Sequence, residues 1–230
     1  MSDLIVDNNG DLTSQIVKST LKNILEGATG IATSEKKDLI LSFSHVLQRV
    51  RGRSFLKAFL SEWNKFREKG RINDEYIYSE QHQVCLQELL ECLDQDIPDE
   101  TRFKVLKSIL LIAATETVSQ RDSVLPQEYM RLCRNLESGE ILVLFAIDKI
   151  PFPKPNNFDF QKQEQWKRDI AQESGLVHQN LVLNYQEKLA SKHLLCSGRI
   201  TYCPMYSAVT DLGKSLVEYI KEYDSVENTL

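Results

Sequence analysis

The chain has 230 residues, 42% of them apolar and 27% charged, with a formal net charge of −5. That length holds one medium and one small hydrophobic core, and the composition is that of an ordinary soluble protein rather than a disordered or membrane one. The acidic balance argues against broad, charge-driven attraction to nucleic acid or anionic lipid.

Met1 to Asp11 carries three aspartates and no basic residue, the wrong chemistry for a signal or transit peptide, so a cytoplasmic protein is expected. The longest purely apolar run, Ile141 to Ile147, is far short of the roughly 18 residues that a membrane span requires. Cys85, Cys92, Cys133, Cys196 and Cys203 are an odd number in a chain too large to depend on staples, and they are expected as reduced thiols.

Taken in order, Thr13 to Glu26 places Ile16, Val17, Leu21, Ile24 and Leu25 on one side of a helix that ends near Gly27. Leu39, Ile40, Phe43, Val46, Leu47 and Val50 continue the helical period. It restarts after Arg51-Gly52-Arg53 with Phe55, Leu56, Phe59, Leu60, Trp63 and Phe66, which predicts an antiparallel helix pair turning at Gly52. Arg49, Arg51, Arg53 and Lys57 cluster at that junction, either to hold an anion or to cover a turn.

Ser79 to Leu93 reads as a helix with Cys85, Leu89, Cys92 and Leu93 inward, and Pro98-Asp99-Glu100 suits the next helix start. The acids Asp94, Asp96, Asp99 and Glu100 lack the spacing of a calcium loop and read as a solvated turn. Phe103 to Ala114 is apolar almost all round, as a central buried helix would be. Pro126 opens a short helix through Leu136, and Ser138 is a candidate cap for the helix containing Ile141 to Ile147. Pro151, Pro153 and Pro155 then forbid a continuing helix. The expected organisation is a helical domain over 1–150, a proline-rich linker over 151–160 and a small domain over 161–230.

In that last part Trp166 and Ile170 share a helix face, Gly175 permits a tight turn, and a second helix runs from about His178 to Ser191 with Val182, Tyr185 and Leu189 inward. Leu194-Leu195, a β-like Ile200 to Tyr202, a return strand over Tyr206 to Thr210 and a closing helix from Asp211 follow, with Thr210 or Asp211 as its cap. Leu189, Leu194, Leu195, Thr210, Gly213 and Leu216 carry a pattern that resembles the bacterial winged-helix families of the MarR and PadR type. The resemblance covers the last third of the chain. The whole chain also resembles uncharacterised bacterial helical proteins grouped with abortive-infection factors, which implies a place in stress or phage-defence biology. The fold class expected is therefore mostly α, a multi-helix N-terminal domain followed by a winged helix with a two-stranded β wing.

Gln179, Asn180, Leu183, Asn184, Gln186 and Glu187 are expected to face outward on the second helix. Of these Gln179, Asn180 and Asn184, with Arg199 in the wing, are the candidates for nucleic-acid contact. Leu183 and Glu187 fit a groove poorly, and Pro151 to Leu230 holds nine Lys/Arg against ten Asp/Glu. His193, Cys196 and Cys203, with His178 upstream, carry atom types that zinc accepts, but no paired Cys-x-x-Cys accompanies them, and strand cysteines are more often small buried hydrophobes. No metal, cofactor or small-molecule substrate is expected, and no phosphate loop, zinc-protease or nucleophile-elbow motif is present. The leading expectation is a non-enzymatic interaction or regulatory protein that contacts a protein partner or itself; the alternative is a DNA-binding transcription regulator.

Overall fold

A computed structural model describes residues 41–42, 45–46, 50–77, 79–95, 98–115, 125–150, 152, 160–200 and 203–228. The helix expected over Thr13–Glu26 and most of the proline-rich linker lie outside the described residues. Within them the chain is mostly helical with one small antiparallel sheet. The order is α1 (Val50–Glu68), α2 (Asp74–Ile77), α3 (Glu80–Gln95), α4 (Glu100–Ala113), α5 (Leu125–Arg134), α6 (Ser138–Lys149), α7 (Phe160–Glu173), α8 (Gln179–Ser191), β1 (Leu195–Ile200), β2 (Cys203–Val209) and α9 (Asp211–Glu227). Among the described residues no helix is long and apolar enough to cross a membrane.

The chain divides into two compact units. The first comprises the chain up to Pro98 with Leu106–Arg134 and the last three residues; the second comprises Asp99–Val105 and Asn135–Glu227. Helix α6, which the proline-rich segment separates in sequence from α7, thus belongs with the elements that follow it.

In the first unit α3 packs against α1, α2 and α5. The apolar stripe of α1 (Leu56, Phe59, Leu60, Trp63, Phe66) meets Leu86, Leu89, Leu90 and Leu93 of α3, all of them buried. The turn expected at Gly52 does not form, because α1 is helical from Val50 and runs straight through it. Gly52 serves close packing instead: a methyl group there would sit 3.3 Å from the Leu93 carbonyl oxygen and from Val46. Ser79 starts α3, its hydroxyl accepting from the His82 N–H at 3.2 Å and donating to the Tyr76 carbonyl at 2.6 Å. Opposite it, Arg134 of α5 donates to Glu88 (2.8 Å), Glu91 (2.9 Å) and Gln95 (3.0 Å), three residues one turn apart along α3. From Leu106 to Ala114, α4 is buried on every side, and the ammonium of its one lysine there, Lys107, is paired with Glu62 of α1.

His82 is the unusual member of this core. It is 1% exposed, its ring 5.1 Å from Trp63 and edge-on to Tyr76 at 5.5 Å, and neither ring nitrogen has a hydrogen-bond partner among the described residues. Burial lowers its pKa from 6.5 to about 4, because a low-dielectric site disfavours the imidazolium. Burial likewise pushes the Cys85 thiol up to about 12 and the Cys133 thiol still higher. Such thiols are inert rather than nucleophilic.

In the second unit α6 is the hub, packed by α7, α8, α9 and β2. That explains why its sequence is apolar well beyond one stripe: Ile141, Val143, Leu144, Ala146 and Ile147 are all buried. Its cap is not Ser138 but Glu137, whose backbone N–H donates to the Glu140 carboxylate at 2.7 Å. The Ser138 hydroxyl donates to Asp99 instead. Burial opposes ionisation of Asp99, but the Arg102 N–H, 3.0 Å away, and that hydroxyl outweigh it and hold the carboxyl below its ordinary range. Asp99 thus stands just before α4, where its carboxylate accepts from an N–H of the first turn. Trp166 anchors α7 by donating its indole N–H to the Ile150 carbonyl at 2.9 Å.

Candidate interaction face of helix α8

The site is set by a tight turn between two helices. Gly175, at φ +70°, closes α7, its N–H donating to the Gln172 carbonyl at 3.1 Å while the Leu176 N–H reaches Ala171 at 2.9 Å. Glycine takes that left-handed conformation without strain. The chain then re-enters a helix with His178 at the N-cap position.

Helix α8 buries Val182, Gln186 and Leu189, which lie at i, i+4 and i+7. Two expectations for this helix are therefore corrected. Gln186 is 2% exposed rather than outward. Tyr185, expected inward, is half-buried on the flank, where it covers Gly139: a methyl group on Gly139 would fall 2.3 Å from the Tyr185 ring. Gly139 is thus the seat that lets α6 and α8 come together, a contact that no sequence signal marked. Gly139→Ala is expected to destabilise the second unit by about 2 kcal/mol through overpacking. Tyr185→Ala in the same chain should relieve the clash, giving a coupling of roughly 1 kcal/mol or more in a urea-denaturation double-mutant cycle; additive losses would show that the two residues do not meet.

Of the nucleic-acid candidates, Asn180 and Asn184 are exposed one turn apart and Gln179 is half-buried beside them. Arg199 sits on β1 opposite Pro204, one pair from the hairpin turn; its side chain lies outside the described residues. Exposed between and before the asparagines are Val177 at 88%, Leu181 and Leu183, of which only Leu183 is expected outward from the sequence. Leu181 lies off the buried 182/186/189 stripe, which is the signal that could have found it, whereas Val177 precedes the helix and no period marks it. At the other end of the helix the Lys188 ammonium is paired with Glu137 at the surface and Lys192 with the fully buried Glu140. The bond to Glu137 raises the Lys188 pKa above its ordinary value. Glu187 is then the charged residue that α8 exposes without an ion pair among the described residues.

The β1–β2 hairpin is anchored through Thr210, Leu194 and Gly213. Thr210 caps α9, accepting from the Gly213 N–H at 3.1 Å while donating to the His193 carbonyl at 2.7 Å. Its own N–H donates to the Leu194 carbonyl at 3.0 Å. Leu194 and Leu195 are buried beneath, and Gly213 lies so close that a methyl group there would meet the Leu194 oxygen at 2.5 Å and Val209 at 2.6 Å.

The hairpin register pairs Cys196 with Ala208 and Ile200 with Cys203. Cys203 therefore stands at the turn, about 13 Å along the ladder from Cys196 at roughly 3.3 Å per residue, a separation that one tetrahedral metal with bonds of about 2.3 Å does not span. Among the described residues no group of three or more His, Cys, Asp or Glu is placed to hold a metal ion. Comparison of the chain with protein-family models, with curated proteins and with solved structures finds no match.

Proposed function

We propose that the chain is a non-enzymatic interaction or regulatory protein whose second unit is a winged-helix module of the kind its sequence resembles, used mainly for protein contact through the exposed side of α8. One observation carries this reading. Of the six large hydrophobic residues exposed among the described ones, Val177, Leu181 and Leu183 fall within one stretch of seven that runs from the turn before α8 into its first turns, while Lys188 and Lys192 are paired with acids of their own unit. Clustered apolar groups with neutral amides between them suit a protein surface, which gains from desolvating them. A phosphate backbone asks for free cations.

Site-specific photo-crosslinking tests the reading. A photoreactive residue at Leu181 or Leu183 in the full chain should give discrete protein adducts in cells, and one at Ser215 of α9, which is also exposed, should not. Absence of adducts at 181 and 183 sinks it. The DNA-binding alternative draws on the exposed pair Asn180 and Asn184, and expects retention of a duplex at low salt that Asn180→Ala, Asn184→Ala and Arg199→Ala each weaken.

A further inference from the structure

Seven of the chain's 28 Lys and Arg fall within residues 50–71, where only Glu62 and Glu68 oppose them, in a protein whose net charge is −5. The structure sorts these residues by face. Counting in steps of four along α1 and into the turn beyond it, positions 53, 57, 61, 65 and 69 are Arg, Lys, Ser, Lys and Lys, and all are exposed. Arg67 and Arg71 are exposed beside them, and Ser54 and Ala58 fill the gaps. Glu62, the acid nearest the middle of the helix, is engaged by Lys107, whereas Lys57, Lys65, Arg67, Lys69 and Arg71 make no ion pair among the described residues. Arg51 is set apart, lying over the Phe55 ring at 5.5 Å.

We propose that this basic face of α1 binds the phosphate backbone of nucleic acid without reading its sequence. Arg53 to Lys65 spans about 18 Å at 1.5 Å per residue, with one cation or hydroxyl on each turn. Each step of four turns about 40° round the helix, so the row is inclined to the axis and flanked by the exposed Glu68. A band of positive groups at that spacing complements a polyanion, and contacts to phosphate carry no base information. Two rival occupants fit less well. A membrane surface would take the apolar side of the helix as its anchor, but Leu56, Phe59, Leu60, Trp63 and Phe66 are 0–1% exposed inside the unit. A protein partner would want a large, fully presented apolar or aromatic anchor among the cations, whereas the exposed uncharged residues beside the row are Ser54, Ala58 and Ser61, and Phe55 is half-buried beneath Arg51. The proposal is independent of the role of α8, since it concerns the other unit.

The test is fluorescence anisotropy of the full chain with a labelled mixed-sequence DNA duplex. About four phosphate contacts should cost roughly 100-fold in affinity between about 50 mM and about 200 mM salt, and scrambling the duplex sequence should change nothing. K57E/K65E is expected to weaken binding at least tenfold at low salt, and K57Q/K65Q to weaken it less; both sites are exposed, and thermal melts should match the parent chain. Asn180→Ala and Arg199→Ala should bind as the parent does. The proposal is overturned by absence of duplex binding at low salt, by full binding in K57E/K65E, by loss in the Asn180 or Arg199 variants instead, or by capture on phosphatidylserine vesicles without capture of the duplex.

Discussion

Acidification should weaken the first unit before most of its carboxylates titrate, and His82 should be the cause. The sign follows from its pKa, about 4 in the folded chain against 6.5 for an ordinary imidazole. Between those values the unfolded chain takes up a proton that the folded chain refuses, so stability is complete above about pH 6.5 and is lost as pH falls toward 4. The linkage amounts to roughly 3 kcal/mol at its limit, a large share of the margin of a small domain. Trp63 stacks on His82 and the chain has only one other tryptophan, Trp166. A Trp166→Phe background therefore leaves a fluorophore in direct contact with the titrating ring. Urea midpoints measured through Trp63 should drop between pH 7 and pH 4.5, and His82→Phe should remove the part of that drop due to one proton. An unchanged slope in the variant would assign the acid sensitivity elsewhere.

Gly213→Ala is the substitution expected to hurt the second unit most. The added methyl group would lie 2.5 Å from the Leu194 carbonyl oxygen, and that oxygen is not free to retreat. It accepts from the Thr210 N–H at 3.0 Å, while Leu194 itself is completely buried. Relief requires the start of α9 to lift off the hairpin, at a cost of about 3 kcal/mol or more. Thr210→Val leaves the packing and removes the cap, so it should cost only about 1 kcal/mol. In a Trp63→Phe background Trp166 reports the unit, and the ratio of the two losses is the diagnostic. Equal losses would mean that Gly213 matters only as part of the cap.

Both positions lie within a pattern the sequence displays, yet only one displays its reason. Thr210 and Gly213 are spaced as a cap and the residue it serves, and the structure shows why the second must be glycine: the obstacle is a backbone oxygen in the turn before β1, 19 residues upstream. His82 gave no warning, because its neighbours on the stripe, Cys85 and Leu89, look like any core face. A histidine at such a position is buried or wet according to which helix lies across it.

The same division runs through the candidate faces. Helices with one clear stripe, such as α1, α3 and α9, are legible because burying that stripe is the dominant favourable term in folding, and its period is written in the residues themselves. Helix α8 has a mixed surface, and its period does not distinguish Tyr185 from Gln186, because a rotation of less than one residue decides which is buried. Arg51-Gly52-Arg53 was read as a turn, although a glycine in a helix and a glycine in a turn have the same local signal.

By itself, then, the sequence determined where the strong helices lie, that the C-terminal third passes from two helices through a hairpin to a closing helix, and that Gly175 and Thr210 punctuate it. These are local matters of period, cap and backbone freedom. Only the tertiary structure decided that α6 joins the second unit, that Lys188 and Lys192 turn back onto Glu137 and Glu140, and that the cations of α1 share one exposed face. Each of these depends on which surfaces meet, and such contacts join residues far apart in the chain that no local pattern links.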